Sequence, residues 1–266
     1  MIGIIGAMDE EVEQIVAVMD IEREETKAQM TFKAGKLAGK DVVIVRSGIG
    51  KVNAAVCTQI LVDDFGVDYV INTGIAGSLK NEINIADIVI SDDVLHHDMD
   101  ATGFGYAPGQ IPRMDTLSFK ADAKLIELAK ESCAKVVPQI GVHVGRVVSG
   151  DQFISDKAVK ERISANFDGY CTEMEGAAIA QAAYLNGVPF VAGKVSDSQI
   201  MEVAAKLIIA SNPTVKVFRI ARGESLGAKR LQSLIELARK EGYQGFIEEV
   251  KRGQDDLIIE EYSETE

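Results

Sequence analysis

The chain has 266 residues, 41 acidic against 28 basic, with a net charge of -13 and a pI near 4.8. That balance argues against a nucleic-acid backbone as partner, which needs a broad basic face, and leaves room only for a local basic patch. With 47% hydrophobic and 26% charged residues, the chain holds enough apolar material for one large α/β domain, or for one domain plus an appendage.

Cys57, Cys133 and Cys171 are odd in number and far apart, which fits neither a disulfide framework nor a zinc site. They read as reduced core thiols of a cytoplasmic protein. The opening Met1-Ile2-Gly3-Ile4-Ile5-Gly6 lacks a basic leader and turns acidic at Asp9-Glu10-Glu11, and no apolar run approaches the roughly 20 residues of a membrane span. The expectation is a soluble cytosolic protein with no membrane partner.

In chain order, Ile2 to Gly6 predicts a strand, followed by a tight turn and an amphipathic helix carrying Val12, Ile15, Val16 and Met19. Asp9, Glu10 and Glu11 in its first turn complement the helix dipole, and Glu11 is also a candidate for chemistry. Thr31 to Leu37 and Asp41 to Arg46 predict strands. Ser47-Gly48-Ile49-Gly50-Lys51 then turns into a helix over Val52 to Phe65. A phosphate loop is excluded there, because valines stand at 45 and 52 where that pattern needs a glycine and a Ser or Thr. The turn's backbone amides remain able to hold a water or an anion.

Asp68 to Asn72 predicts a buried strand ending in the turn Thr73-Gly74-Ile75-Ala76-Gly77-Ser78, where glycines allow close approach to the backbone. Ala86 to Ser91 is strand-like. His96-His97-Asp98 hints at a metal, but with one other histidine and no nearby cysteine it reads as a solvated or structural pair. The Gly/Pro/aromatic stretch from Ala101 to Pro112 is long enough to be a lid or a subunit contact. A helix over 121–133, a strand over 141–149 and a helix over 156–165 follow, with Phe153 in the intervening loop either core or stacked on a base.

The chain is organised around Cys171-Thr172-Glu173-Met174-Glu175-Gly176-Ala177-Ala178. Glu173 and Glu175 open an alanine-rich helix that stops at Asn186-Gly187, and an apolar strand then emerges at Ser196-Asp197. Carboxylates at a helix start and at a strand end converge on one rim of a sheet, which is where open α/β sheets place ligands. The alternation of elements predicts a three-layer α/β/α fold around a central mixed sheet.

By Gly150-Asp151-Gln152-Phe153-Ile154, Glu173-Met174-Glu175 and Ser196-Asp197, the sequence resembles the 5'-methylthioadenosine/S-adenosylhomocysteine nucleosidases of the purine nucleoside phosphorylase superfamily. The stretches 2–11, 47–55 and 72–74 look like further blocks of that family, and the resemblance runs to about residue 199. It implies hydrolysis of the N9–C1' bond of an adenine nucleoside with a 5'-thio substituent, with no metal and no organic cofactor. Asp197 matches the acid that protonates adenine at N7, and Ser196 its orienting neighbour. Glu175 matches the residue on the ribose hydroxyls, and Glu11 the base that takes a proton from water. This is the division of labour of an inverting glycosidase.

The resemblance further implies that Phe153 stacks on adenine, that the Ile154 backbone pairs with its edge, and that Ile49 and Met174 line the ribose. Ala7, Met8, Ala76, Gly77 and Glu173 complete the substrate-binding set. Ala101, Phe104 and Pro112 match a loop that the neighbouring subunit lends to the 5'-thio pocket, implying a homodimer.

Three positions depart from the family pattern: Ile75 replaces a serine, Lys194 replaces an arginine, and about ten residues that cover the purine are absent after Asp197. Beyond Asn212-Pro213 the family offers no counterpart. Residues 1–211 are therefore expected to form the nucleosidase-like domain. Residues 212–266 are expected to form a C-terminal helical extension with apolar faces at Leu231, Leu234, Ile235 and Ala238 and at Phe246, Ile247 and Val250. Two rival readings stay open: phosphorolysis by the same fold, and a catalytically impaired binding or assembly protein whose C-terminal segment engages a protein partner.

Overall fold

Strand β1 (Ile2–Gly6) fixes the layering, because successive side chains of a strand point to opposite faces. Ile5, with Val43 and Val45 of β4 (Lys40–Arg46), enters the main core with α2 (Lys51–Phe65) and α5 (Gly176–Leu185). Ile4, with Val42 and Ile44, meets Val12 of α1 (Asp9–Ala17) on the other face. The computed structural model describes residues 1–196 and, further on, the strands Val217–Arg219, Phe246–Arg252 and Leu257–Tyr262. Asp197 and the stretch after it, expected to be shorter than in the family, lie outside the described residues.

The sheet is mixed. β1 runs parallel to β4 and to β5 (Tyr69–Ser78), and β5 runs parallel to β10 (Phe190–Ser196). β10 is antiparallel to β6 (Ile88–His96), β6 is parallel to β8 (Val142–Ser149), and β8 is parallel to β9 (Cys171–Glu173). β9 then pairs antiparallel with the end of β5, Gly77 opposite Thr172, so these five strands close into a ring. β3 (Met30–Leu37) and β2 (Asp20–Lys27) extend the sheet beyond β4, and β7 (Phe119–Lys120) pairs with β6.

The helices cover both faces as the sequence predicts. α3 (Ala123–Val136) lies against β6 and β10, while α4 (Lys157–Phe167) sets Ile163 and Phe167 on Leu79, Leu95 and Val148. Asp122 and Asp156 cap these two helices, each accepting a backbone N–H at 2.9 Å. Buried Ala177, Ala178, Ala180 and Ala183 on α5 let α2 pack closely over the sheet.

Three elements differ from expectation. The predicted turn over 73–78 is the continuation of β5, because β10 pairs with it as far as Ala76 and β9 takes Gly77 and Ser78. β2, with the sequence Asp-Ile-Glu-Arg-Glu-Glu-Thr-Lys, lacks an apolar face because it is an exposed edge strand, and its charges keep that edge from pairing with other chains. Phe246–Arg252, expected as a helical face, is a strand pairing antiparallel with Leu257–Tyr262, which also pairs with Val217–Arg219. Charged or polar residues interleave the apolar ones there in a way both periods accommodate, and the neighbouring strands decide it. The helix expected around Leu231 to Ala238 lies outside the described residues. The chain divides into two units, Met1–Ser198 and Gln199–Glu266.

The ring is held by a buried carboxylate. Asp93 of β6, 1% exposed, accepts from Arg146 Nε and Nη2 at 2.7 and 2.8 Å, from Lys120 Nζ at 2.9 Å and from Ser118 Oγ at 2.8 Å. Burial pushes its pKa up, but these donors prevail and hold it at about 2. Asp93→Ala should destabilise the fold by about 3 to 5 kcal/mol in urea unfolding, since it strands the half-buried Arg146. In the wild type this contribution should be present above the ordinary carboxylate pKa of 3.8 and disappear as pH falls through about 2.

Candidate active site

Four elements deliver charged groups to one rim of the ring. Glu11 comes from the first turn of α1, Glu173 from the end of β9, Glu175 from the N-cap of α5, and Lys194 from β10. Lys194 is 2% exposed, and its Nζ sits 3.0 Å from Glu173 Oε2. Burial lowers the Lys194 pKa, but the carboxylates of Glu173, Glu11 and Glu175 outweigh it and hold the ammonium charged.

The three acids have different surroundings. Glu173 is committed to structure: Ser149 Oγ donates to its Oε1, and the backbone N–H groups of Glu175 and Gly176 donate to its Oε2 at 3.2 and 2.8 Å. Against the penalty of burial, Lys194 and these donors draw its pKa below the usual range. Its carboxylate thus caps α5 and anchors Lys194.

Glu175 has one donor, the Gly50 N–H at 2.8 Å. Burial and the adjacent Glu173 charge raise its pKa to about 7, with Lys194 offsetting only part. Glu11 accepts from the Ala7 and Met8 N–H groups at 2.6 and 3.2 Å on Oε2 and from Ile75 N–H at 2.9 Å on Oε1. The bond to Met8 is the helix-capping role, and the bond to Ile75 reaches across to β5. Gly74 makes that reach possible: at φ +153°, a Cβ there would lie 2.4 Å from Glu11 Oε1.

The remaining predicted residues are placed as follows. Ala7 and Ala76 are buried, and Ala76 stands opposite Ser196 in the β5–β10 register, with Gly77 next along β5. Met8 and Met174 are half-buried, and Ile49 is 54% exposed on the turn that carries Gly50. Phe153 is 85% exposed, and with Ile154, Gln152 and Val159 it lines an open depression of about 340 Å³. That loop is tied to the Gly50 turn, because Asp151 Oδ1 accepts from Lys51 N–H at 2.8 Å while Lys51 Nζ bonds both oxygens of Asp98 at 2.7 Å. Ala101 is buried within the chain, whereas Phe104 and Pro112 are exposed.

Sequence reasoning missed the structural use of Lys194, Ser149 and the Lys51–Asp98–Asp151 bridge. The usable signal was the Gly-Ile-Gly-Lys turn: the anions its amides hold are the side chains of Glu175 and Asp151. His96 is buried and bonds Gln181 at 3.0 Å, so this histidine is structural rather than solvated.

The profile of the phosphorylase superfamily matches residues 1–217. A 5'-methylthioadenosine/S-adenosylhomocysteine nucleosidase of Marinomonas sp. (strain MWYL1) is 43% identical over 231 residues, covering 84% of this chain and 98% of that relative. The chain belongs to this nucleosidase family, within the phosphorylase superfamily. Among solved structures, the Colwellia psychrerythraea 34H nucleosidase in complex with adenine superposes with a TM-score of 0.72 at 38% identity, over 79% of this chain and 88% of that one. The Neisseria meningitidis nucleosidase in complex with methylthio-immucillin-A gives 0.71 at 37%, over 80% and 90%.

The electrostatics of the nucleosidase rim predict a pH effect. Because the Glu175 pKa is raised from 4.5 to about 7, its protonated form suits the fold, and its contribution to stability is complete below pH 4.5 and lost as pH rises to about 7. His96 and His97, whose pKa values burial lowers, act in the opposite sense but equally in both proteins. The stability of wild type minus that of Glu175→Gln, measured by denaturant unfolding, should therefore fall between pH 4.5 and 7 and level off above. A flat difference would contradict the assignment.

Proposed function

We propose that the protein hydrolyses the N-glycosidic bond of 5'-methylthioadenosine or S-adenosylhomocysteine, releasing adenine and a thioribose. The carrying observation is Glu11, a carboxylate held by three backbone N–H groups at a rim shared with Glu175. In this reading Glu11 takes a proton from water as the water oxygen bonds C1'. The N9–C1' electron pair leaves with adenine, whose N7 receives a proton from Asp197. The ionised form of Glu175 grips the ribose hydroxyls and offsets the positive charge that develops on the sugar. Phe153 and Ile154 take the base, and Ile49, Met174 and Met8 line the sugar and its 5' substituent.

Water is favoured over phosphate as the nucleophile. The amides at the start of α2 that suit an oxyanion already hold Glu175 and Asp151, and Ile75 brings no hydroxyl. The same proposal makes the protein a cytoplasmic homodimer, its partner subunit covering exposed Phe104 and the apolar surface of Val52 and Leu185. Residues 1–211 are then the catalytic domain and 212–266 an accessory segment.

Purified protein given 5'-methylthioadenosine without phosphate should release adenine at a rate that added phosphate leaves unchanged. Glu11→Gln and Asp197→Asn should each lower kcat by about 10² to 10⁴. Gly74→Ala, which pushes the Glu11 carboxylate from its seat, should lower it by about 10². A strict requirement for phosphate, or full activity in Glu11→Gln, would sink the reading.

A further inference from the structure

The strand that leads to Asp197 ends in a clamp. Ser196 N–H donates to the Asp87 carbonyl at 2.7 Å, and the Ser196 carbonyl accepts from Ala86 N–H at 3.1 Å. Both backbone groups of the residue before the candidate acid are thus gripped by one dipeptide. On its other side Ser196 stands in register with Ala76 of β5, and it is 2% exposed.

The dipeptide is itself held in a form it would not adopt alone. Ala86 has φ +79°, a conformation that residues with a Cβ avoid. What keeps it there is the Asp87 side chain, 7% exposed, which fills four hydrogen bonds. Its Oδ1 accepts from Gly141 N–H at 3.0 Å. Its Oδ2 accepts from Asn84 N–H at 2.9 Å and Asn84 Nδ2 at 3.3 Å, and bonds His143 Nε2 at 3.0 Å. Gly141 is moulded to this carboxylate, since a Cβ there would lie 2.5 Å from Oδ1. Ile88 N–H, just beyond the dipeptide, donates back to the Gly141 carbonyl at 2.8 Å. Strained backbone persists where its surroundings over-determine it, and here the over-determined backbone holds Ser196, the last residue of β10.

We propose that Asp87 is a positioning residue of the reaction: fixed by His143, Asn84 and Gly141, it holds the Ala86–Asp87 backbone against Ser196 and so sets where Asp197 stands. This rests on Asp197 being the acid that protonates the leaving base. Asp87 touches no substrate and acts only through Ser196. Proton transfer is sensitive to such placement, because displacement by about 1 Å can reduce a rate by 10².

Two substrates separate positioning of the acid from general support of the fold. 5'-Methylthioadenosine needs its leaving group protonated, whereas the p-nitrophenyl glycoside of 5-methylthioribose expels a weakly basic phenolate that does not. The ratio of kcat/KM for the nucleoside to that for the aryl glycoside is independent of the fraction of protein folded. Asp197→Asn should reduce this ratio by about 10² or more, and Asp87→Asn by about 10 or more. His143→Phe, which removes one donor to Asp87 from a different strand, should reduce it in the same direction. An unchanged ratio in both Asp87→Asn and His143→Phe, with a collapsed ratio in Asp197→Asn, would overturn the clamp alone. An unchanged ratio in Asp197→Asn would overturn the acid assignment beneath it.

Discussion

One buried ammonium, that of Lys194, faces three carboxylates, and the rim of the sheet is arranged around that imbalance. A single positive charge in a low-dielectric setting can fully compensate one of them. Glu173 takes that role through its ion pair and its bonds to Ser149 and the α5 backbone. Glu11 is compensated by backbone dipoles from the turn after β1, its own helix start and β5. Glu175 is left with one N–H and a nearby like charge, which is why its proton is held to about pH 7. Carboxylates with such different environments can take different roles in one site.

The fold supplies this arrangement by closing five strands into a ring, which brings chain segments far apart in sequence to one edge. β5 contributes the Ile75 amide, β9 leads into Glu173 and Glu175, and β10 carries Lys194 and Ser196. The start of α2 completes it from outside the ring. Its amides behave as helix N-termini do towards anions, but the anions they hold are the side chains of Glu175 and Asp151.

Much of this was legible in residue order. Alternating apolar runs and amphipathic helices indicate a mixed α/β/α sheet, and the residue order alone sets Glu173, Glu175 and Ser196 at strand and helix ends. The illegible parts have physical reasons. β2 is a charged edge strand with no buried face to leave a pattern. The extension of β5 through Gly74 to Ser78 looks like a turn because glycines serve turns and close approaches alike, and here Gly74 makes room for Glu11. The commitment of Glu173 to Lys194 was hidden because both are charged residues that composition alone would place at the surface, and only their mutual burial reveals the pairing.

The most direct test is the titration of the Glu175 side chain itself, followed by carbon NMR of protein labelled at glutamate carboxyls and assigned by the signal missing in Glu175→Gln. The account predicts a midpoint near 7, well above the ordinary 4.5, because burial and Glu173 both oppose its charge and Lys194 is already engaged. A midpoint at the ordinary value would mean that the rim carries no charge imbalance, and would contradict the account at its base.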